Sequence, residues 1–144
     1  MKGDQRPVLQ EEVIYRPQDL MLLFDKLKID SIVPRISADV ACAPFRKFGL
    51  YVALDSTSTP DLLHIEVEFL DPWTGQWYTH KQGVFAALYW EDADTASGIY
   101  ECFTGEVLGR AMRVKITGVD VAASGNTFSA TKYFTASIGV DFWN

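Results

Sequence analysis

Hydrophobic and polar residues alternate along several stretches of this chain. The clearest stretches are LLHIEVEFL (62–70), AMRVKIT (111–117) and SIGVDF (137–142). Because successive side chains of a β-strand point to opposite faces, this alternation predicts strands with one buried face. Shorter patterns of the same kind predict further strands near residues 47–54, 76–80, 84–90, 99–103 and 127–135.

Turn-forming sequences separate the predicted strands. They are rich in Gly, Pro, Asp, Ser and Thr, which favour turns: DSTSTPD (55–61), DPWTG (71–75), EDADTASG (91–98), TGE (104–106) and ASGN (123–126). No helical pattern lies between these strands. Short strands at regular spacing, without intervening helices, predict an all-β fold, an antiparallel, jelly-roll-like β-sandwich.

Two of the predicted strands carry opposite charges on their polar faces. One presents Glu66 and Glu68, and the other presents Arg113 and Lys115. If the two strands are neighbours in one sheet, we expect the charges to lie opposite each other. Each such pair contributes about 0.2–1 kcal/mol.

The first 44 residues differ from the rest of the chain. They lack long strand-like alternation and hold four of the six prolines, Pro7, Pro17, Pro34 and Pro44. Proline lacks a backbone N–H and biases the preceding residue towards extended conformations. The sequence therefore predicts an extended N-terminal arm over residues 1–44, followed by a sandwich domain over residues 45–144.

A short helix is predicted inside this arm. Asp19 is a suitable N-cap, and helical spacing relates the apolar residues that follow it, Leu20, Leu23, Phe24 and Leu27. The segment DLMLLF is apolar nearly all round. Because such a surface is costly to expose to water, we expect it to be covered by the domain or by a neighbouring chain.

Charge and hydropathy argue against several function classes. The net charge is −6 and the longest basic cluster is Arg46-Lys47, so a nucleic-acid-binding face is not expected. No apolar run approaches the roughly 20 residues of a membrane span, and the N-terminus has no signal-peptide pattern. We therefore expect a chain made in the cytoplasm with no membrane partner. Neither Cys42 nor Cys102 has metal-site spacing, which favours two buried free thiols over one disulfide.

No catalytic or metal-binding motif emerges from the sequence. His64 and His80 are the two histidines, and neither stands beside a recognisable nucleophile signature. The DxD spacing of Asp92 and Asp94 begins like a calcium loop. Ser97 and Phe103, however, occupy the positions that require glycine and glutamate. We therefore predict no enzymatic activity, no metal and no cofactor.

The tryptophans divide into two groups. Trp77 and Trp90 follow strand patterns and are expected to fill the space between the sheets. Trp73 lies at the third position of the turn Asp71-Pro72-Trp73-Thr74, where it either packs back onto the arm or is presented to a partner. The alternative for the aromatic residues is a carbohydrate-binding module that stacks sugar rings on Trp73, Tyr78 and Trp90.

The succession of strand and turn patterns along the chain also resembles a known group of proteins. The hairpin TPDLLHIEVEFLDPWTGQWY (59–78), then GRAMRVKITGVD (109–120) and FSATKYF (128–134), resembles a β-sandwich pattern of tailed-bacteriophage virion proteins. In head-decoration and tail-associated members, an extended arm often clasps the neighbouring subunit. The resemblance, over residues 46–135, implies a structural virion protein: a capsid decoration or cement protein, or a tail or baseplate component.

The same resemblance implies partners and contact residues. It implies a homo-oligomer, with a trimer favoured, bound to a major capsid protein or another virion protein. The residues predicted to make these contacts are apolar and lie in the arm or at a loop tip: Tyr15, Leu20, Leu22, Leu23, Phe24, Ile29 and Trp73. Deleting residues 1–30 is expected to leave a folded domain that no longer assembles.

Overall fold

The structure, a computed structural model, describes residues 20–57, 61–91, 98–129 and 132–144. Tyr15 and the two acids of the calcium-like loop, Asp92 and Asp94, lie outside these residues. A 3-10 helix covers Gly83–Ala87. The described strands are β1 Met21–Ile29, β2 Arg35–Ile36, β3 Val40–Ala41, β4 Lys47–Thr57, β5 Leu62–Leu70, β6 Trp77–Thr79, β7 Tyr89–Glu91, β8 Ile99–Glu106, β9 Ala111–Val119 and β10 Tyr133–Trp143.

These strands form two antiparallel sheets. In the six-stranded sheet β5 and β9 lie side by side. β2 and β3 pair with the free side of β9, while β6 and β7 pair with the free side of β5. The four-stranded sheet has the order β1-β10-β4-β8. The prediction of an all-β antiparallel sandwich is therefore confirmed.

The core lies between the two sheets and is built from one face of each long strand. In β4 the residues Phe48, Leu50, Val52 and Leu54 are almost fully buried, and the residues between them face outward. Burying one such side chain contributes about 1.5–3 kcal/mol. The other long strands add Leu63, Ile65, Val67, Phe69, Met112, Val114, Ile116, Phe134, Ala136, Ile138, Val140 and Phe142.

The predicted charge pairing between neighbouring strands is confirmed. β5 and β9 are adjacent, and their register places Arg113 opposite Glu68 and Lys115 opposite Glu66. The Arg113 Nε lies 2.7 Å from Glu68 Oε1, and the Lys115 Nζ lies 3.8 Å from Glu66 Oε1. The polar faces of these strands therefore form an ion-paired outer surface on the six-stranded sheet.

The predicted helix over Leu20–Leu27 is wrong, because Met21–Ile29 form strand β1. β1 pairs with β10, which supplies hydrogen-bonding partners along most of its length. A bulge interrupts the pairing, and Lys26 there has a φ of 50°, with its N–H donated to Ser137 Oγ at 2.9 Å. The bulge breaks the two-residue alternation, so the sequence lacks a clear strand pattern.

The described part of the predicted arm is extended, but it lies within the sandwich. Besides β1 in the four-stranded sheet, the short strands β2 and β3 pair with β9 in the six-stranded sheet. Residues 20–44 therefore contribute strands to both sheets. Residues 1–19, the remainder of the arm, lie outside the described part of the chain.

Two other strand predictions need correction. Residues 84–90 were predicted as one strand, but they fall in the 3-10 helix and the short strand β7. Residues 127–135 and 137–142 were predicted as two strands, but one continuous strand, β10, runs from Tyr133 to Trp143.

A buried carboxylate holds the loop before β10. Asp120 Oδ2 accepts hydrogen bonds from the Ser129 N–H at 2.7 Å and from Ser129 Oγ at 2.9 Å, while Oδ1 accepts one from the Ala122 N–H at 3.2 Å. These bonds, the Ser129 backbone N–H first among them, lower the pKa of Asp120. Because these hydrogen bonds hold residues 120–129 in a loop, β10 begins only after this loop.

Candidate interaction surface

An apolar groove crosses the outer face of the four-stranded sheet. It is open to solvent and has a volume of about 390 Å³. All four strands of the sheet border it. The lining residues are Leu20, Leu22, Tyr51, Val52, Ala53, Tyr100, Glu101, Cys102, Ser137 and Gly139.

The order of the strands gives the groove its walls and floor. Leu20 and Leu22 stand at the β1 side, and Tyr100 stands at the β8 side. Between them, small residues keep the floor low: β10 gives Gly139, which is paired with Leu22 of β1 and with Tyr51 of β4. A side chain at Gly139 would fill this floor, because its Cβ would lie 3.3 Å from Leu20 Cδ1.

The walls of the groove are unusually exposed for apolar side chains. Leu22 is 57% exposed and Tyr100 is 84% exposed. Single exposed apolar residues are common on protein surfaces, but contiguous apolar patches mark interaction sites. The groove is such a patch, since its exposed apolar residues lie on one face of the same four-stranded sheet.

The cysteine in the groove is an accessible thiol that its surroundings do not activate. Cys102 is free and exposed, and desolvation raises its pKa, so it is protonated at neutral pH and a weak nucleophile. Cys42 is free and buried, and burial raises its pKa to about 11. The prediction of free thiols therefore holds for both residues, whereas the prediction of burial holds for Cys42 alone.

The predicted contact residues of the arm lie in different environments in the structure. Leu20 and Leu22 line the groove. Leu23 and Phe24 are partly buried against the core of their own chain. The prediction that Ile29 contacts a partner is wrong, because its side chain is only 2% exposed and belongs to the core between the sheets.

Trp73 lies at the tip of the β5–β6 hairpin, on the other sheet. Its side chain is 90% exposed. The Asp71 carboxylate fixes the turn by accepting hydrogen bonds from the Trp73 N–H at 2.9 Å and from Thr74 Oγ1 at 2.6 Å. The Thr74 hydroxyl is the main cause of the lowered pKa of Asp71. The turn therefore presents Trp73 to solvent. Trp73 is not part of the groove, which lies on the four-stranded sheet.

The other tryptophans do not complete a ring platform around Trp73. Trp90 is 5% exposed and donates from Nε1 to Glu101 Oε1 at 3.0 Å, which links β7 of one sheet to β8 of the other. Trp77 was predicted to fill the core, but its register opposite Leu70 places it on the outer face. There the Arg113 guanidinium lies 4.1 Å from its ring centroid. The three-ring platform of Trp73, Tyr78 and Trp90 is thus not formed.

His80 is a buried imidazole at one end of the core. Its ring stacks on Phe85 with centroids 4.5 Å apart and contacts Phe48 and Phe69 edge-on. Nδ1 accepts a hydrogen bond from the Gln82 N–H at 3.3 Å, which places the proton of the neutral ring on Nε2. Desolvation by burial lowers the pKa of His80.

The buried imidazole makes stability depend on pH. Histidine in an unfolded chain has a pKa of about 6.5. The pKa of His80 in the folded protein is lower, so folded His80 binds its proton only at lower pH. The free energy of unfolding should therefore fall as the pH drops below about 6.5, until the folded pKa is passed. His80→Asn keeps an acceptor for Gln82 and removes the titration. Urea unfolding at about pH 7.5 and 5.5 should show a smaller pH effect in the variant, and equal effects would contradict this assignment.

Among the described residues, no group of three or more His, Cys, Asp or Glu side chains is placed to hold a metal ion. No helix in the described ranges is long and apolar enough to cross a membrane. No protein-family model matches this chain, and comparisons with curated proteins and with solved structures give no significant match.

Sequence reasoning missed the residues of β4 and β8 that complete the groove. Tyr51 and Tyr100 both lie on the outward face of a strand, where polar residues are expected. An aromatic residue on the polar face of a predicted strand was the available signal. It became interpretable only once the strand order placed both tyrosines on the same sheet face as Leu22.

Proposed function

We propose that this protein is a non-enzymatic structural subunit that assembles with other copies through the outer face of its four-stranded sheet. The observation that carries the proposal is the apolar groove, with Leu22 and Tyr100 exposed on its opposite walls. Leaving such a surface in water is unfavourable, and covering it with a second protein surface removes that cost.

The chemistry of the groove suits a protein partner. Tyrosines dominate the energetics of many interfaces, and Tyr51 on the inner strand β4 and Tyr100 on the edge strand β8 would act as anchors. A stable interface buries about 1,200–2,000 Å² in total. The groove is too small to supply that area alone, so the contact would extend over the neighbouring sheet surface.

We place this assembly in a virion, as a capsid decoration or cement protein. The support is the resemblance of residues 46–135 to virion β-sandwich proteins, together with the acidic net charge of −6, which suits a surface without DNA contact. The partners would be other copies of the chain, with a trimer favoured, and a major capsid protein.

A charge placed in the groove tests the proposal. Leu22→Glu should weaken self-association about tenfold to a hundredfold, because it removes about 1.5–3 kcal/mol of apolar burial and adds a carboxylate. Light scattering at several concentrations would report the mass. Val121→Glu is the matched control, since Val121 is 87% exposed in a loop and should leave the mass unchanged. Equal masses for the two variants would contradict the role of the groove.

A further inference from the structure

The edge strands of the two sheets differ in how well they are protected. An edge strand presents unpaired N–H and C=O groups, which can pair with another chain, and native proteins block such edges with short strands, bulges, lysine or proline. In the described part of the chain, the edge strands of the six-stranded sheet are all short. β2 and β3 have two residues each, and β6 and β7 have three each.

The long edge strand β1 is blocked by irregularity. Its pairing with β10 shifts register twice, once at Asp25 and Lys26 and once at Leu23. The positive φ of 50° at Lys26 turns the backbone there, and Lys28 adds a second ammonium group on the same strand. An incoming strand would therefore find neither a straight edge nor a neutral one.

β8 is long and regular, and it has no bulge, lysine or proline. It pairs with β4 over eight residues, from Ile99 opposite Leu54 to Glu106 opposite Lys47, with no register shift. Its sequence, IYECFTGE, has no lysine, arginine or proline. Tyr100, the most exposed aromatic residue of the four-stranded sheet, lies on this strand and also lines the groove.

We propose that the β8 edge pairs antiparallel with β8 of a second copy, so that two four-stranded sheets become one continuous eight-stranded sheet. The proposal rests on the proposed function and adds an edge contact between two copies to the contact made over the groove. The grooves of both copies would then lie on one face of the joined sheet, because the two-fold axis of such a pair is perpendicular to the sheet and keeps each outer face outermost.

Two-fold symmetry restricts the register of this pairing. Residues of the same face must meet, so the pair is centred either on Cys102 or on Phe103 if most of the strand is to overlap. In the first register Glu101 lies opposite Phe103, and in the second it lies opposite Gly105. Neither register places two carboxylates directly opposite each other. The first register makes the two Glu101 side chains diagonal neighbours, whereas the second does not, so like-charge repulsion favours the register centred on Phe103.

Both registers bring the two Cys102 side chains together. Directly opposite residues have Cβ atoms about 4.5–5.5 Å apart, and diagonal neighbours are about 7–8 Å apart.

The contact has two-fold symmetry, so it joins two copies within a dimer or between two trimers and cannot by itself close a trimer.

Crosslinking of the full, unmodified chain tests the proposal. A short bismaleimide should link two chains through Cys102, whereas Cys42 is buried and should not react. The Cys102→Ser variant should lose the crosslink and keep the wild-type mass in solution. Cys102→Lys places like charges opposite or diagonal to each other, so this variant should lose the dimeric contact. Hydrogen exchange of wild-type β8 amides should slow as protein concentration rises, while exchange in β2 and β3 at the edge of the other sheet should not.

The results separate this inference from the proposed function. An oligomeric protein that gives no Cys102 crosslink and no added protection of residues 99–106 overturns the β8 pairing and leaves assembly through the groove intact. A protein that is monomeric at all concentrations overturns both. A Cys102→Lys variant with the wild-type mass, or a monomer that binds only an extended peptide of another protein at β8, also overturns the pairing.

Discussion

Replacing Phe48 with alanine is expected to lower the free energy of unfolding by about 3–5 kcal/mol. Phe48 is fully buried at the start of β4, and its ring lies 5.3 Å from that of Phe85 and 5.7 Å from that of Phe69, centroid to centroid. The deletion would leave a cavity among rings that belong to both sheets. Because domains are commonly stable by only about 5–15 kcal/mol, this change removes a large share of the total.

Chemical unfolding in urea, followed by fluorescence, would measure the loss. Tyr100→Ala is the matched control, because it removes an aromatic ring that is 84% exposed and should change stability by no more than about 0.5 kcal/mol in the monomer. Similar losses for the two variants would mean that the end of the core around Phe48 is not packed as described.

Deleting residues 1–30 is expected to abolish cooperative folding, whereas deleting residues 1–19 should preserve it. The longer deletion removes β1 and with it Ile29 of the core, and it strips the β10 edge of its hydrogen-bonding partners. Each apolar side chain that leaves the core costs about 1.5–3 kcal/mol, and β1 also contributes Phe24 and Leu27 to the packing. The sum approaches the whole stability of a domain of this size.

Thermal unfolding followed by circular dichroism would compare the two deletions with the full chain. A cooperative transition at the full chain's temperature after the 1–30 deletion would contradict the role assigned to β1. This expectation replaces the one drawn from the sequence alone, in which residues 1–30 were separable from the sandwich.

The sequence was most informative where one face of a strand is buried and the other is charged. β5 has the predicted bounds, and β9 extends the predicted strand by two residues. In both, the Arg113–Glu68 and Lys115–Glu66 pairs keep polar residues outward while aliphatic residues fill the core. Periodicity and charge pattern thus agreed, and they led to the correct neighbours.

The sequence misled where tertiary contacts override the local pattern. Leu20, Leu23, Phe24 and Leu27 match a helix, yet pairing with β10 and the bulge at Lys26 make this segment a strand. The position of Trp77 depends on its register against Leu70, which no local pattern contains.

The groove could not be predicted because its residues come from four strands that are distant in sequence. Leu22, Tyr51 and Tyr100 become neighbours only in the order β1-β10-β4-β8. The prediction that Leu20 and Leu22 would need a cover was made from their hydrophobicity alone, and the structure places both at an exposed apolar surface. We propose that another copy of the chain covers that surface.

Self-association through the four-stranded sheet is the central claim, and sedimentation equilibrium of the full chain tests it most directly. The chain has a mass of 16.2 kDa. We expect the measured mass to rise with concentration to a multiple of this value, and to fall back towards it for Leu22→Glu. A mass of one chain at every concentration, with no difference between the wild type and Leu22→Glu, would contradict the account.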